Sequence, residues 1–263
     1  MIRLEHLETD VIASCQLSCV SCNAFVPLQR AVAAAFLVSP EELAEDLQHF
    51  GQVAHVDRYA LIGGEPTLHP RLLELLMVAR DSDVADEVEV WSNGLRVMAM
   101  GAAFWAALDR LVVTAYPGKL SDDELDAIRA RCERSDVTFE LIDQRQRAKW
   151  HQLLEPAPTS DAETQRKFDG CRNRRYSHVL DRGHFYRCCT SPFIPRLLQG
   201  RPDGSDGLPV AGLTEAALAG FLAAPKAMES CRLCTGFDRR RKGPWRELRT
   251  PDAWLQASRG GAA

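Results

Sequence analysis

Apolar runs of strand length alternate with stretches of helical period from the N-terminus to Ile142. Residues 2–13 form the first run, ending in Val11-Ile12-Ala13, and residues 57–62 the second. Val88-Glu89-Val90-Trp91, residues 110–114 and Val137 to Ile142 follow as further strands. Between the first two, Ser39-Pro40-Glu41-Glu42 reads as a helix start: Ser39 caps free amides, Pro40 suits the first turn and Glu42 closes a capping box. Leu43, Leu47 and Phe50 then share one face, which packs on a sheet. Pro70 to Arg80 is a leucine-rich helix, a short helix falls near 101–108, and Ser121-x-x-Glu124 opens another through Arg134. Leu125, Ile128 and Cys132 share a face of that helix, so Cys132 reads as a small core residue. The alternation predicts an α/β fold, a parallel sheet with helices outside it. Five clear strands are too few for eight β/α units, so a partial, open parallel barrel of about five to six strands is expected.

The periodicity breaks at Glu155-Pro156-Ala157-Pro158-Thr159-Ser160, a linker by composition. The expected division is residues 1–155 for the barrel and 156–263 for a cysteine-rich region. Within the latter, Ser177 to Leu180 and His184 to Arg187 pattern as a hairpin around Asp181-Arg182-Gly183. Leu213 to Ala224 reads as a helix returning to the core.

Composition excludes several classes. A net charge of −4 does not argue for a nucleic-acid partner. Hydrophobic content of 46% suits a chain with a sizeable core. No stretch approaches the roughly 20 apolar residues that span a bilayer. The N-terminal Met1-Ile2-Arg3-Leu4-Glu5-His6 has no apolar signal core. Nine cysteines, an odd count without an export signal, point away from a disulfide framework. The expectation is a soluble, cytoplasmic, metal-loaded protein with no membrane or nucleic-acid partner.

The chemistry centres on Cys15-Gln16-Leu17-Ser18-Cys19-Val20-Ser21-Cys22, directly after the first strand. Thiolates spaced this closely hold three corners of a cubane iron–sulfur cluster and leave one iron open, although the spacing also suits part of a zinc site. Gly63-Gly64-Glu65-Pro66 follows the second strand and Ser92-Asn93-Gly94 the third. In a parallel barrel these strand ends gather at one mouth. Tyr116, after the fourth strand, and Arg145, after the fifth, are placed there as candidates to face a substrate.

The Cys15, Cys19, Cys22 spacing, with the GGEP and Ser-Asn-Gly segments in order behind it, resembles the radical S-adenosylmethionine (SAM) superfamily. The resemblance implies a [4Fe-4S] cluster on these cysteines with SAM bound at its open iron. It implies that Gly63, Gly64, Glu65 and Pro66 bind the SAM amino group and that Ser92 and Asn93 contact the ribose. Members often carry an aromatic residue just before the last cysteine. Ser21 stands there, and Phe25 is the candidate to pack near the adenine instead.

Downstream, the hairpin would deliver Cys188 beside Cys171, and Cys231-Arg232-Leu233-Cys234 would complete four thiolates, for iron–sulfur or zinc alike. A Cys near position 170, a Gly-x-x-Tyr-Arg-Cys hairpin and a closing CxxC are similar to the twitch domain of radical SAM enzymes. There, four such cysteines hold an auxiliary [4Fe-4S] cluster, which implies Cys171, Cys188, Cys231 and Cys234 as ligands. The layout is similar to carbohydrate- and aminocyclitol-modifying members of antibiotic pathways. Cys189 is left over, directly after Cys188. It is a hydrogen-atom donor to a substrate radical, the ligand in place of Cys188, or an inert small residue.

The resemblance implies hydrogen abstraction from a C–H of a small sugar, oligosaccharide or aminocyclitol. No leader-binding module fits ahead of Cys15, which disfavours a peptide substrate. An electron donor such as flavodoxin or ferredoxin is implied as partner. Epimerisation, with Cys189 returning a hydrogen, is the leading expectation. Dehydrogenation through the auxiliary cluster is the alternative and needs a base, for which Arg145 or Arg147 is a candidate. A cysteine-rich zinc protein binding a partner through Arg239-Arg240-Arg241-Lys242 is the reading from another class.

Overall fold

The computed structural model describes residues 1–32, 36–145, 150–236 and 242–260. The candidate base Arg147 and the arginines of the run Arg239-Arg240-Arg241 lie outside them. In chain order the elements are β1 (Ile2–Asp10), α1 (Val26–Val32), α2 (Pro40–Gly51), β2 (Ala54–Ile62), α3 (Leu72–Asp81), β3 (Ala85–Ser92), α4 (Ala102–Ala106), β4 (Arg110–Ala115), α5 (Asp122–Arg134) and β5 (Thr138–Asp143). They continue with β6 (Trp150–His151), α6 (Asp161–Asp169), α7 (Asn173–Tyr176), β7 (His178–Asp181), β8 (His184–Tyr186), α8 (Phe193–Leu198), β9 (Leu208–Pro209), α9 (Glu215–Ala223), β10 (Lys242–Gly243) and α10 (Pro251–Ser258).

One eight-stranded sheet runs in the order β5-β4-β3-β2-β1-β7-β8-β9. The pairs from β5 to β1 and the β1–β7 pair are parallel, while β8 and β9 add antiparallel to the end. The fold is α/β, a partial, open parallel β/α barrel. Its sixth parallel strand is β7, the first strand of the hairpin, set beside β1 with Leu7 opposite His178. The sheet is thus continuous from the barrel strands into the cysteine-rich region.

Local chemistry sets the helices. Ser39 and Ser121 accept from the amides of Glu42 and Glu124, and both glutamates reach back to the cap amide, so both capping boxes form. Leu43, Leu47 and Phe50 of α2, Leu72, Leu75 and Leu76 of α3, and Leu125, Ile128 and Cys132 of α5 are buried against the sheet. Cys132 is 0% exposed, as expected of a core thiol. A second apolar cluster joins Phe25, Leu153, Leu154, Phe193, Leu233 and Trp254. It docks α8 and α10 beside the segment that follows β1.

Strand β1 departs from the uniformly apolar character usual for a buried parallel strand. Leu7 packs in the main core, and Thr9 accepts from the Tyr59 hydroxyl at 2.6 Å. The alternate positions His6, Glu8 and Asp10 are polar, buried, and line a large cavity in the barrel mouth.

Candidate active site

The loop from Ser14 to Cys22 leaves β1 at its C-terminal end, and the Gly63-Gly64 segment lies directly on it. Gly64 N–H donates to the Ile12 carbonyl at 2.7 Å and Glu65 N–H to the Ser14 carbonyl at 2.8 Å. A Cβ on Gly64 would stand 2.2 Å from the Ser14 oxygen, and one on Gly63 2.7 Å from the Ile12 oxygen. Neither backbone can yield, so these positions require glycine.

Amide donors surround the loop sulfurs. Leu17 N–H donates to Cys15 Sγ at 3.3 Å, and the Asn93 side-chain amide reaches it at 3.6 Å. The backbone amides of Val26, Ala24 and Phe25, where α1 begins, point at the Cys22 sulfur. Burial pushes the Cys15 thiol up to about 12 and raises Cys19 and Cys22, while these donors oppose the rise at Cys15 and Cys22 and the Trp245 side chain opposes it at Cys19. Donors aimed at sulfur favour the thiolate, the form that ligates metal.

Cys15, Cys19, Cys22, Gly63, Gly64, Ser92, Asn93 and Tyr116 all line one open cavity of about 1960 Å³ of atom-free space. Glu65 and Pro66 do not. The Glu65 carboxylate is fully buried and accepts from Thr67 Oγ1 at 2.6 Å, Ser92 Oγ at 2.8 Å and the Asn93 amide at 2.7 Å. It ties the end of β2 to the end of β3. Its side chain thus positions the strand ends, and Pro66 is buried in the short turn behind it.

Arg145 lies off the cavity wall. Its guanidinium is locked between Asp143 at 2.9 Å and Asp122 at 2.6 Å, and those partners raise its pKa further, so it is neither a base nor on the cavity wall. Gln144 and Ile142 line the cavity in its place. Phe25 is 0% exposed, with its ring 5.7 Å from Phe193 and 5.3 Å from Trp254. It is core rather than an adenine platform. Ser21 lies on the cavity wall.

The downstream cysteines line two cavities, with the Cys188 and Cys189 side chains in hydrogen-bond contact between them. Cys171, Cys188, Cys231 and Cys234 line a second, small apolar cavity of about 360 Å³ of atom-free space with Phe168 and Met228. Its charged wall residues are Lys167 and Arg174, with no carboxylate among them. Cys189 lines the first cavity instead, with the Asn173 amide 4.0 Å from its sulfur. Among the described residues, no three His, Cys, Asp or Glu side chains converge as a ready-made site for one metal ion.

Sequence reasoning missed much of the cavity floor. Glu8 accepts from Ser177 Oγ at 3.2 Å, and burial pushes its carboxyl up to about 8. Asp10 is pushed well above the usual carboxylate range by burial, then by Glu8 and Asp181. His6 lies 3.0 Å from Glu89, which also accepts from the Trp91 indole at 2.7 Å. The available signal was the polar residue at every second position of β1. Also missed was the C-terminal segment that covers the loop of Cys15, Cys19 and Cys22. Val20 N–H donates to the Arg246 carbonyl at 2.9 Å, Leu248 N–H to the Ser18 carbonyl at 2.8 Å, and the Trp254 indole to the Cys19 carbonyl at 2.9 Å. Trp245 stacks on Tyr116 at 5.6 Å. The two tryptophans of the tail, Trp245 and Trp254, were the clue.

No protein-family model matches the chain, and no curated protein matches it. Among solved structures, the chain is similar to BtrN in complex with AdoMet and 2-DOIA, with 12% identity, 84% of this chain and 82% of that one covered, and a TM-score of 0.49. It is also similar to native anSMEcpe with bound AdoMet, with 16% identity, 52% and 43% covered, and a TM-score of 0.40. Likeness at this level leaves the assignment to the residues of the chain itself.

Proposed function

We propose that this chain is a radical SAM enzyme that takes a hydrogen atom from a C–H of a small carbohydrate-type molecule and returns one from Cys189, inverting the carbon. One observation carries this reading. The adjacent thiols Cys188 and Cys189, hydrogen-bonded to each other, line different cavities, the first with three other cysteines and the second with the loop of Cys15, Cys19 and Cys22.

The residues fit the groups this reading needs. Cys15, Cys19 and Cys22, with amides aimed at Cys15 and Cys22, would hold a [4Fe-4S] cluster in an open cavity. Gly63, Gly64, Ser92 and Asn93 would receive SAM beside it, and Cys171, Cys188, Cys231 and Cys234 would enclose an auxiliary [4Fe-4S] cluster. When bound, the cluster and SAM supply a carbon radical able to take hydrogen from an unactivated C–H. The chain's own part is to bind and orient the substrate and to exclude water. The Cys189 S–H bond breaks as the new substrate C–H bond forms. The resulting thiyl returns to a thiol by taking one electron and one proton, the electron from a flavodoxin- or ferredoxin-type donor.

Dehydrogenation stands as a second reading because Glu8, a buried carboxyl on the same cavity as Cys189, suits a base for a hydroxyl proton. The test common to both is anaerobic reconstitution. About eight iron and eight sulfide per chain, with reductive cleavage of SAM to 5′-deoxyadenosine, supports the proposal. Colourless, zinc-loaded protein without SAM cleavage returns the chain to the zinc-protein reading.

A further inference from the structure

The loop cysteines draw their hydrogen-bond donors from different places. Cys15 and Cys22 are served by neighbouring backbone, the Leu17 amide for the first and those of Ala24, Phe25 and Val26 for the second. Side chains from distant elements serve Cys19: the Tyr116 hydroxyl, just after β4, and the Trp245 indole, in the C-terminal tail. The two rings stack with centroids 5.6 Å apart. Trp245 Nε1 is buried and has no oxygen or nitrogen acceptor. A buried N–H left unpaired is costly, so the sulfur beside it is its natural partner.

Backbone pairing brings the ring there. Val20 N–H donates to the Arg246 carbonyl and Leu248 N–H to the Ser18 carbonyl, so the tail pairs with the loop on both sides of Cys19. Cys19 itself stands opposite Glu247 in an antiparallel bridge. Further along, the Trp254 indole donates to the Cys19 carbonyl at 2.9 Å, an oxygen rather than the sulfur.

We infer that Trp245 is a positioning residue acting through Cys19: its indole N–H, beside the Tyr116 hydroxyl, bonds the ligand sulfur and raises the reduction potential of the iron–sulfur cluster this loop would hold. The inference rests on the proposed function only in needing a cluster on the loop. Reduction adds one electron from the flavodoxin- or ferredoxin-type donor, and the sulfurs share the added negative charge. A donor aimed at sulfur stabilises that state more than the oxidised one, and the indole keeps its proton throughout. Removing the N–H therefore makes the electron harder to add. Loosening the tail acts in the opposite direction, because water admitted to the sulfur brings donors of its own.

The test is an anaerobic redox titration of the reconstituted holoenzyme followed by EPR, the loop cluster being the signal that changes when SAM is added. Trp245→Phe keeps a ring against Tyr116 and removes the N–H. At the potential that half-reduces the wild-type loop cluster, the variant's ratio of reduced to oxidised cluster should be at least about threefold lower, or about 28 mV for a one-electron couple. Trp254→Phe, which removes a donor to the carbonyl, should change the ratio by less than about threefold. A smaller fall in Trp245→Phe, a rise, or an equal fall in both variants overturns the inference. If either variant fails to take up iron, wild-type protein with heavy nitrogen in its tryptophan indoles decides. A nitrogen coupling on the reduced loop cluster in pulsed EPR supports the bond to sulfur, and its absence overturns it. A loop that binds no iron fails the functional reading and the inference with it. A cluster that cleaves SAM but keeps its potential in Trp245→Phe fails the inference alone.

Discussion

The two cysteine sites differ in what surrounds the sulfur. The loop site at the end of β1 offers three thiols to a wide cavity that also holds polar backbone, Tyr116 and buried acids. The hairpin site offers four thiols to a small apolar cavity. A complete ligand set in a small cavity suits storing or passing an electron. An incomplete set facing open space suits binding something further. Under the proposed function, electron handling and bond chemistry would fall to different cavities, Cys188 lining one and Cys189 the other.

The largest effect should come from the ligands themselves. Cys19→Ala should lower iron from about eight to about four per chain and abolish SAM cleavage. Cys231→Ala should remove as much iron yet leave SAM cleavage by the loop site intact. Equal loss of cleavage in both variants would merge the two sites into one functional unit.

Backbone fit comes next. Gly64→Ala drives a Cβ into the Ser14 carbonyl at 2.2 Å, whereas a Cβ on Gly101 meets nothing within 4 Å. The first should cost about 3 kcal/mol or more in chemical denaturation and the second under about 0.5. Similar stabilities would show that the GGEP segment does not lock the cluster loop.

Glu8 sharpens the comparison through pH. Its carboxyl is pushed up to about 8 from an ordinary value of 4.5, so the folded state holds a proton that the unfolded state has lost between those limits. Its contribution is fully present below pH 4.5, falls as pH rises, and levels off above about 8. Glu8→Gln should therefore match wild type near pH 4 and be more stable by about 4–5 kcal/mol near pH 8.5. A constant difference across that range would remove the buried acid from the account.

The smallest effect is expected at Arg145. Its two carboxylate partners sit at the surface end of β5 and α5, so Arg145→Ala should cost under about 1 kcal/mol and change turnover less than about twofold. A loss of a hundredfold would restore it to the site.

Much of this architecture was legible in the chain. The period-two and period-3.6 patterns gave the strands and helices, because each element buries one regular face, and the capping boxes of Ser39 and Ser121 marked helix starts. The short motifs located three strand ends that meet at one cavity. What escaped depends on contacts between distant segments. The hold of Glu65 on Ser92 and Asn93 joins segments about 28 residues apart and is not visible in the GGEP motif. Arg145 reads as a solvent-facing or catalytic cation until Asp122 and Asp143 close on it. That β7 joins β1, and that the tail around Trp245 and Trp254 covers the cluster loop, are pairings across more than 150 residues that no local pattern encodes.

The most direct test of the distinct roles proposed for Cys188 and Cys189 is the mass of the product formed in heavy water from an accepted sugar or aminocyclitol. The account predicts a gain of about one mass unit, from an exchangeable thiol returning hydrogen to carbon, and its disappearance in Cys189→Ala with both clusters retained. A loss of about two mass units, unchanged by Cys189→Ala, would contradict it and identify the chain as a dehydrogenase whose electrons leave through the auxiliary cluster.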